Sequence, residues 1–180
     1  MLKIVVPGTE YFNEEDETFE TVGDFDLELE HSLISLSKWE SKYQKPFLVR
    51  SEKTPEEIMG YVEAMIISPI YPPDIFVRLS KDNVRQINDY IESKESATTF
   101  GLMPERKGPG EVITSELIYY WMVAFNIPFE CESWHLNRLF SLIRICNIKN
   151  SKPRKMSRHE ISSRNRELNA IRRAQYGTSG

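Results

Sequence analysis

Apolar positions in the first thirty residues recur at a spacing of two, which is typical of half-buried strands. The first six residues are β-prone and stop at a Pro-Gly pair, and residues 19–22 and 25–29 alternate apolar and acidic side chains. Gly23 and Asp24 suit a turn between these two segments, and the acidic stretch before them is typical of a loop. We therefore expect a small antiparallel β element within residues 1–30.

Beyond this element the apolar spacing changes to the 3.6-residue period of amphipathic helices. Helices are predicted over residues 32–43, from Thr54 onward and from Ser80 onward. Thr54 is a strong N-cap candidate because Pro55 and two glutamates follow it. Residues 94–112 lack any period and are predicted to be a long loop.

The densest apolar pattern covers residues 114–149 and is interrupted by Pro128. Thr114 or the serine after it caps a first helix, and a second helix follows the proline. Two apolar helices with a short connection predict an antiparallel hairpin, and we place the core there, with Trp121 and Trp134 inside it.

The last segment begins with a polar linker, and Ser157 with Glu160 fits a capping box for a helix over residues 157–174. Its apolar stripe is thin and consists of Ile161, Leu168 and Ile171. Such a helix adds little to the stability of a core, and we expect it to act in association. The predicted fold is α+β and predominantly α-helical, with one globular domain over residues 1–150 (β-rich 1–30, helical 32–149) and a basic helical tail over residues 151–180.

Charge is distributed unevenly along the 180 residues, although the net charge is only −4. Residues 1–30 hold ten acids and one lysine, a local charge of −9, while residues 151–180 hold eight bases and two glutamates, a local charge of +6. Three interpretations remain open: two solvated ends, attraction between the ends within or between copies, and an external charged partner.

Candidate catalytic and metal-binding patterns are weak in this sequence. Cys131 and His135 would face one way on a helix, but Cys146 would lie about 22 Å further along it. No phosphate-binding loop, dinucleotide fingerprint or serine-nucleophile motif occurs. We expect no bound metal, no cofactor and no enzymatic activity. Two cysteines, no signal-peptide core and no apolar run of membrane-spanning length favour a reducing cytoplasm and no membrane partner.

Partner-binding residues are predicted on the basic tail and at one tryptophan. Arginine binds carboxylates and phosphates through a planar fork, so three interpretations of the tail remain: a protein partner or another copy, a nucleic acid, or a solvated helix. Binding to a single-stranded nucleic acid is the less favoured one, because Tyr176 is the tail's one aromatic residue for base stacking. Trp39, between a lysine and a glutamate on a short helix, is open to two interpretations, a core residue or an exposed anchor. The predicted partner-binding residues are Trp39, Arg158, Arg164, Arg166, Arg172 and Arg173.

Four segments resemble proteins encoded in the tail modules of tailed bacteriophages. They are residues 32–48, 113–122, 126–139 and 164–173, together with the closing Gly-Thr-Ser-Gly. The resemblance is to a phage tail assembly chaperone, and it implies binding to the tape-measure protein and tail-tube subunits in the host cell cytoplasm, with homo-oligomers among the expected states. A structural protein of the virion, and a nucleic-acid-binding module acting through the basic helix, are the alternatives.

Overall fold

The computed structural model describes residues 1–13, 17–100, 111–151 and 158–177. The chain divides into two compact units, Met1–Asn147 and Ile148–Gly180. Strands occupy the start of the first unit and helices most of its remainder, so the predicted fold class, a predominantly helical α+β fold, is confirmed. The described helices are α1 Leu33–Tyr43, α2 Pro55–Met65, α3 Ile75–Arg78, α4 Lys81–Glu92, α5 Ser115–Ala124, a 3-10 helix Phe129–Ser133, α6 Leu136–Asn150 and α7 Arg158–Tyr176.

Four short strands form two nested antiparallel pairs at the N-terminus. The outer pair joins β1 Leu2–Val6 to β4 Phe25–Leu29, and the inner pair joins β2 Thr9–Asn13 to β3 Thr18–Val22. The expected antiparallel element is present, but the sequence pattern missed β2. Gly23 and Asp24 do not form a hairpin turn; they join the outer pair to the inner pair.

The junction between the two strand pairs is held by specific polar contacts. The Gly8 amide donates to Asp24 Oδ1 at 2.7 Å. A Cβ atom at Gly8 would lie 2.3 Å from the Val22 carbonyl oxygen, so this close approach requires glycine. The buried Arg78 donates from Nε and Nη2 to the Pro7 carbonyl and from Nη2 to the Gly23 carbonyl.

Helices α2, α4 and α5 begin where a side-chain cap was expected, and α1 begins at a cap that was not predicted. Ser32 caps α1, Thr54 forms a capping box with α2, Ser80 forms one with α4, and Thr114 caps α5. The four-residue helix α3 was not predicted, because a single turn is too short to show an apolar period.

The core consists of two clusters rather than one. The first lies among β1, β4 and helices α1, α2 and α4, and the second among α1, α5, the 3-10 helix and α6. The expectation that the core lies within residues 114–149 is therefore wrong in extent, because 12 of the 19 buried apolar residues in the described part of the chain precede residue 92. Trp121 and Trp134 lie half-buried at the margin of the second cluster.

Helix α1 links the two clusters. It supplies Trp39 to the first and Leu33 and Leu36 to the second. Its buried Glu40 accepts a hydrogen bond from the Phe47 amide at 2.9 Å and another from the Ser115 amide at 2.7 Å. The second bond satisfies a free amide at the start of α5, so this carboxylate joins the two helices.

Candidate partner-binding surfaces

Trp39 is a core residue, and its interpretation as an exposed anchor is wrong. Its side chain is 1% exposed, and Nε1 donates to the Glu57 carbonyl at 2.7 Å. The rings of Tyr43 and Phe47 lie 4.9 and 5.0 Å from it, centroid to centroid. The physical reason is that α1 packs against α2 on this side, so the indole has no solvent face to offer a partner.

The five predicted arginines lie together on α7, and all of them are exposed. Ile161, Leu168 and Ile171 are also exposed on this helix, at 46%, 40% and 56%. At 100° per residue these three side chains share one face of the helix. The predicted capping serine, Ser157, lies outside the described residues.

The arginines divide between two faces of α7. By the same helical geometry, Arg164 and Arg172 lie along the apolar face, whereas Arg166 and Arg173 lie on the opposite side. The apolar face is therefore also basic, a combination that suits a partner surface with apolar and acidic side chains.

Removing α7 is expected to leave the first unit folded. A chain ending at Asn150 keeps all of α6, so its melting temperature should lie within a degree or two of the parent, because the described side chains of α7 are exposed. Thermal unfolding followed by circular dichroism checks this. Association should weaken in the same truncated protein. A chain that unfolds or aggregates after truncation would instead assign the helix to the core.

Helix α5 exposes apolar side chains that a helix of its composition normally buries. Eight of its ten residues are apolar or aromatic, yet only Ser115, Ile118 and Met122 are buried. Tyr120 and Val123 are 65% and 60% exposed. A helix that is apolar all round is expected to be covered on more than one side.

A groove lies between the C-terminal end of α5 and α6. At 100° per residue, Trp121 in this groove is 100° around the helix from Tyr120 but about 160° from Val123, so the groove adjoins the side of α5 that carries Tyr120. It has a volume of about 460 Å³ and is lined by Trp121 of α5, by Phe125 directly after α5, and by Phe140 and Ile143 of α6. Glu111, Arg144 and Asn147 add polar groups to the lining. We define the α5 surface as these four apolar lining residues together with Tyr120. It has the size and chemistry that an amphipathic helix of a partner requires.

Two buried histidines, His31 and His135, pack together beside tyrosines of the first cluster. His31 is 3% exposed and shares a 2.6 Å hydrogen bond between Nδ1 and the Tyr61 hydroxyl. The His31 and His135 rings lie 5.0 Å apart, and His135 Nε2 lies 2.9 Å from the Tyr90 carbonyl oxygen. Burial, and next the charge of His135, lower the pKa of His31 to about 4. The pair lines no cavity on the α5 surface, so we assign it to packing.

Metal ligands do not gather in the described part of the chain. No group of three or more His, Cys, Asp or Glu side chains there is arranged to hold an ion. Cys131 is buried, with its thiol pKa raised chiefly by burial, and Cys146 is half-buried. Within the same residues, no helix is long and apolar enough to cross a membrane.

Comparison of the chain with protein-family models, with curated proteins and with solved structures finds no match. The case for any function therefore depends on the surfaces described above and on the resemblance of individual segments.

Proposed function

We propose that the protein is a phage tail assembly chaperone that binds amphipathic helical segments of a tape-measure protein. In this proposal the α5 surface covers the apolar stripe of a client helix and keeps the client soluble until tail-tube subunits assemble around it. The protein acts by binding and catalyses no reaction.

One observation carries the proposal: α5 is apolar around its circumference but buried on one side. An exposed apolar patch on a protein of this size marks a binding surface or an aggregation liability. An aromatic-lined groove beside the patch favours binding, because it presents concave apolar surface to the stripe of a client helix. Two of the segments that resemble tail-module proteins, 113–122 and 126–139, coincide with α5 and with the chain that leads into α6.

Binding of a client by the α5 surface is tested by introducing a glutamate on this surface and, as a control, a glutamate on another exposed helix. Tyr120→Glu is expected to weaken binding of the tape-measure protein from the same phage by at least about tenfold, because it places a carboxylate on the exposed apolar side of α5 that adjoins the groove. Binding is measured by titration of purified client helices and by the yield of soluble tape-measure protein on co-expression.

Val77→Glu is the matched control, since Val77 on α3 is 89% exposed and lies away from the α5 surface. It should bind client like the parent. Equal binding by both variants would exclude the α5 surface. Recovery of the protein in purified virions would favour a structural subunit over a chaperone, because a chaperone leaves the finished particle.

A further inference from the structure

The hairpin formed by β2 and β3 presents aromatic side chains that nothing in its own unit covers. Phe12 and Phe19 face each other across the two strands, with ring centroids 5.2 Å apart, and are 50% and 73% exposed. An isolated two-stranded hairpin is marginally stable in water, and a bare aromatic pair on it is a surface that gains from being covered.

Two exposed acidic residues lie near this aromatic pair. The strand register places Glu10 on the side of Phe12, two positions along β2, and Glu17 lies exposed next to β3. The wider segment has a local charge of −9 over residues 1–30. We define the hairpin face as Glu10, Phe12, Glu17 and Phe19.

The apolar face of α7 complements the hairpin face in both respects. Its exposed Ile161, Leu168 and Ile171 match the aromatic pair, and Arg164 and Arg172 on the same face match the two glutamates. Charge-assisted contacts between arginine and carboxylate set orientation and speed encounter. Each chain therefore carries two surfaces of opposite charge, both exposed in the single chain.

We propose that the apolar face of α7 binds the hairpin face of a second copy of this chain. The contact joins different surfaces of the two copies, so it forms a reciprocal pair or a head-to-tail series. This inference is independent of the proposed function, because it uses neither the α5 surface nor a client.

Charge exchange between the two surfaces tests the pairing. The parent protein should self-associate in sedimentation velocity, and more weakly as salt is raised. Glu10→Lys with Glu17→Lys, and separately Arg164→Glu with Arg172→Glu, should each leave monomers through like-charge repulsion. An equimolar mixture of the two variants should associate again, because each exchanged surface meets its opposite on the other chain. Combining all four changes in one chain should also restore association.

Matched controls carry the same change of charge elsewhere. Arg166→Glu with Arg173→Glu alters the opposite side of α7, and Glu52→Lys with Glu92→Lys alters exposed acids outside the hairpin. Both should associate like the parent. Circular dichroism checks the folding of every variant, and the two α7 variants alone still decide the outcome if the hairpin variant unfolds.

Three results would overturn the proposal. A parent protein that is monomeric at all concentrations has no such contact. Equal loss of association in the matched controls would show that the loss comes from the changed net charge and not from the two surfaces. Failure of both the mixture and the four-fold variant to associate would show that the two surfaces do not pair with each other. Loss of client binding in Tyr120→Glu with self-association intact, or the reverse, separates this proposal from the proposed function.

Discussion

Replacing Trp39 with alanine is expected to lower the free energy of unfolding by about 3–5 kcal/mol. The side chain is among the largest fully buried in the described part of the chain, and it fills the contact between α1 and α2 beside Tyr43 and Phe47. The substitution leaves a cavity there and also leaves the Glu57 carbonyl without its 2.7 Å partner. Urea unfolding followed by circular dichroism measures the loss.

Two further variants show which part of this loss comes from the hydrogen bond, and whether removing an exposed aromatic ring has the same effect as removing a buried one. Trp39→Phe keeps an aromatic ring but removes the bond to Glu57, and should cost less than the alanine change. Tyr120→Ala removes an exposed ring from α5 and should change the free energy of unfolding by no more than about 0.5 kcal/mol. If Trp39→Ala cost as little as Tyr120→Ala, the indole would not be part of the core.

The helix starts were predictable because their signals are local. A hydroxyl side chain one residue before the helix accepts an amide three positions along the chain, and both partners appear within four residues of sequence. Thr54 with Glu57 and Ser80 with Asn83 form such boxes in the structure. No knowledge of the tertiary fold is needed to predict them.

Contacts between distant segments were not predictable in this way. Strand β2 pairs with β3, and the acidic residues between them indicate only a loop. The sequence of β2 alone does not predict a strand, because a strand is stabilised by contacts with its partner strand. Glu40 illustrates the same limit, since its partner, the Ser115 amide, lies 75 residues away. Trp39 was ambiguous because its neighbours, Lys38 and Glu40, make the helix look exposed, although Glu40 is itself buried.

Of the two candidate surfaces, the basic helix was predictable from the sequence and the α5 surface was not. The run of arginines in the tail is visible in the sequence, and α7 indeed exposes them. The α5 surface was missed because an apolar helix normally indicates core, and the sequence does not show which of its sides is covered. Tyr120 and Val123 differ from Ile118 and Met122 only in the direction in which the tertiary structure turns them.

Acid is expected to destabilise the protein through His31, over a pH window that its pKa defines. The pKa is about 4 in the folded protein and 6.5 in an unfolded chain, so between these values the unfolded state binds more protons. The free energy of unfolding therefore falls as the pH drops from about 6.5 to about 4, and this group adds no further change outside the window. A shift of this size corresponds to a loss of about 3 kcal/mol.

The neighbours of His31 explain why it stays neutral. Tyr61 and His135 face the ring, and burial raises the pKa of Tyr61, so that its hydroxyl keeps its proton and is able to donate to Nδ1. Tyr90 packs against His135 and donates to Glu30, whose other oxygen lies 2.8 Å from the terminal amine. None of these contacts offers His31 a carboxylate to pair with a positive charge.

A neutral substitute isolates the contribution of His31 from the acids that titrate in the same window. His31→Gln should lower the free energy of unfolding at pH 7, because the contact with Tyr61 is disturbed, but the further loss on going to pH 4 should be about 3 kcal/mol smaller than in the parent. Urea unfolding of both proteins at the two pH values gives this double difference. Glu57 provides the comparison, since Lys45 holds the pKa of its carboxyl below the usual value and its contribution is common to both proteins. Equal losses in the parent and in His31→Gln would show that His31 is not held neutral, because a histidine that is already protonated in the folded state binds no proton on unfolding.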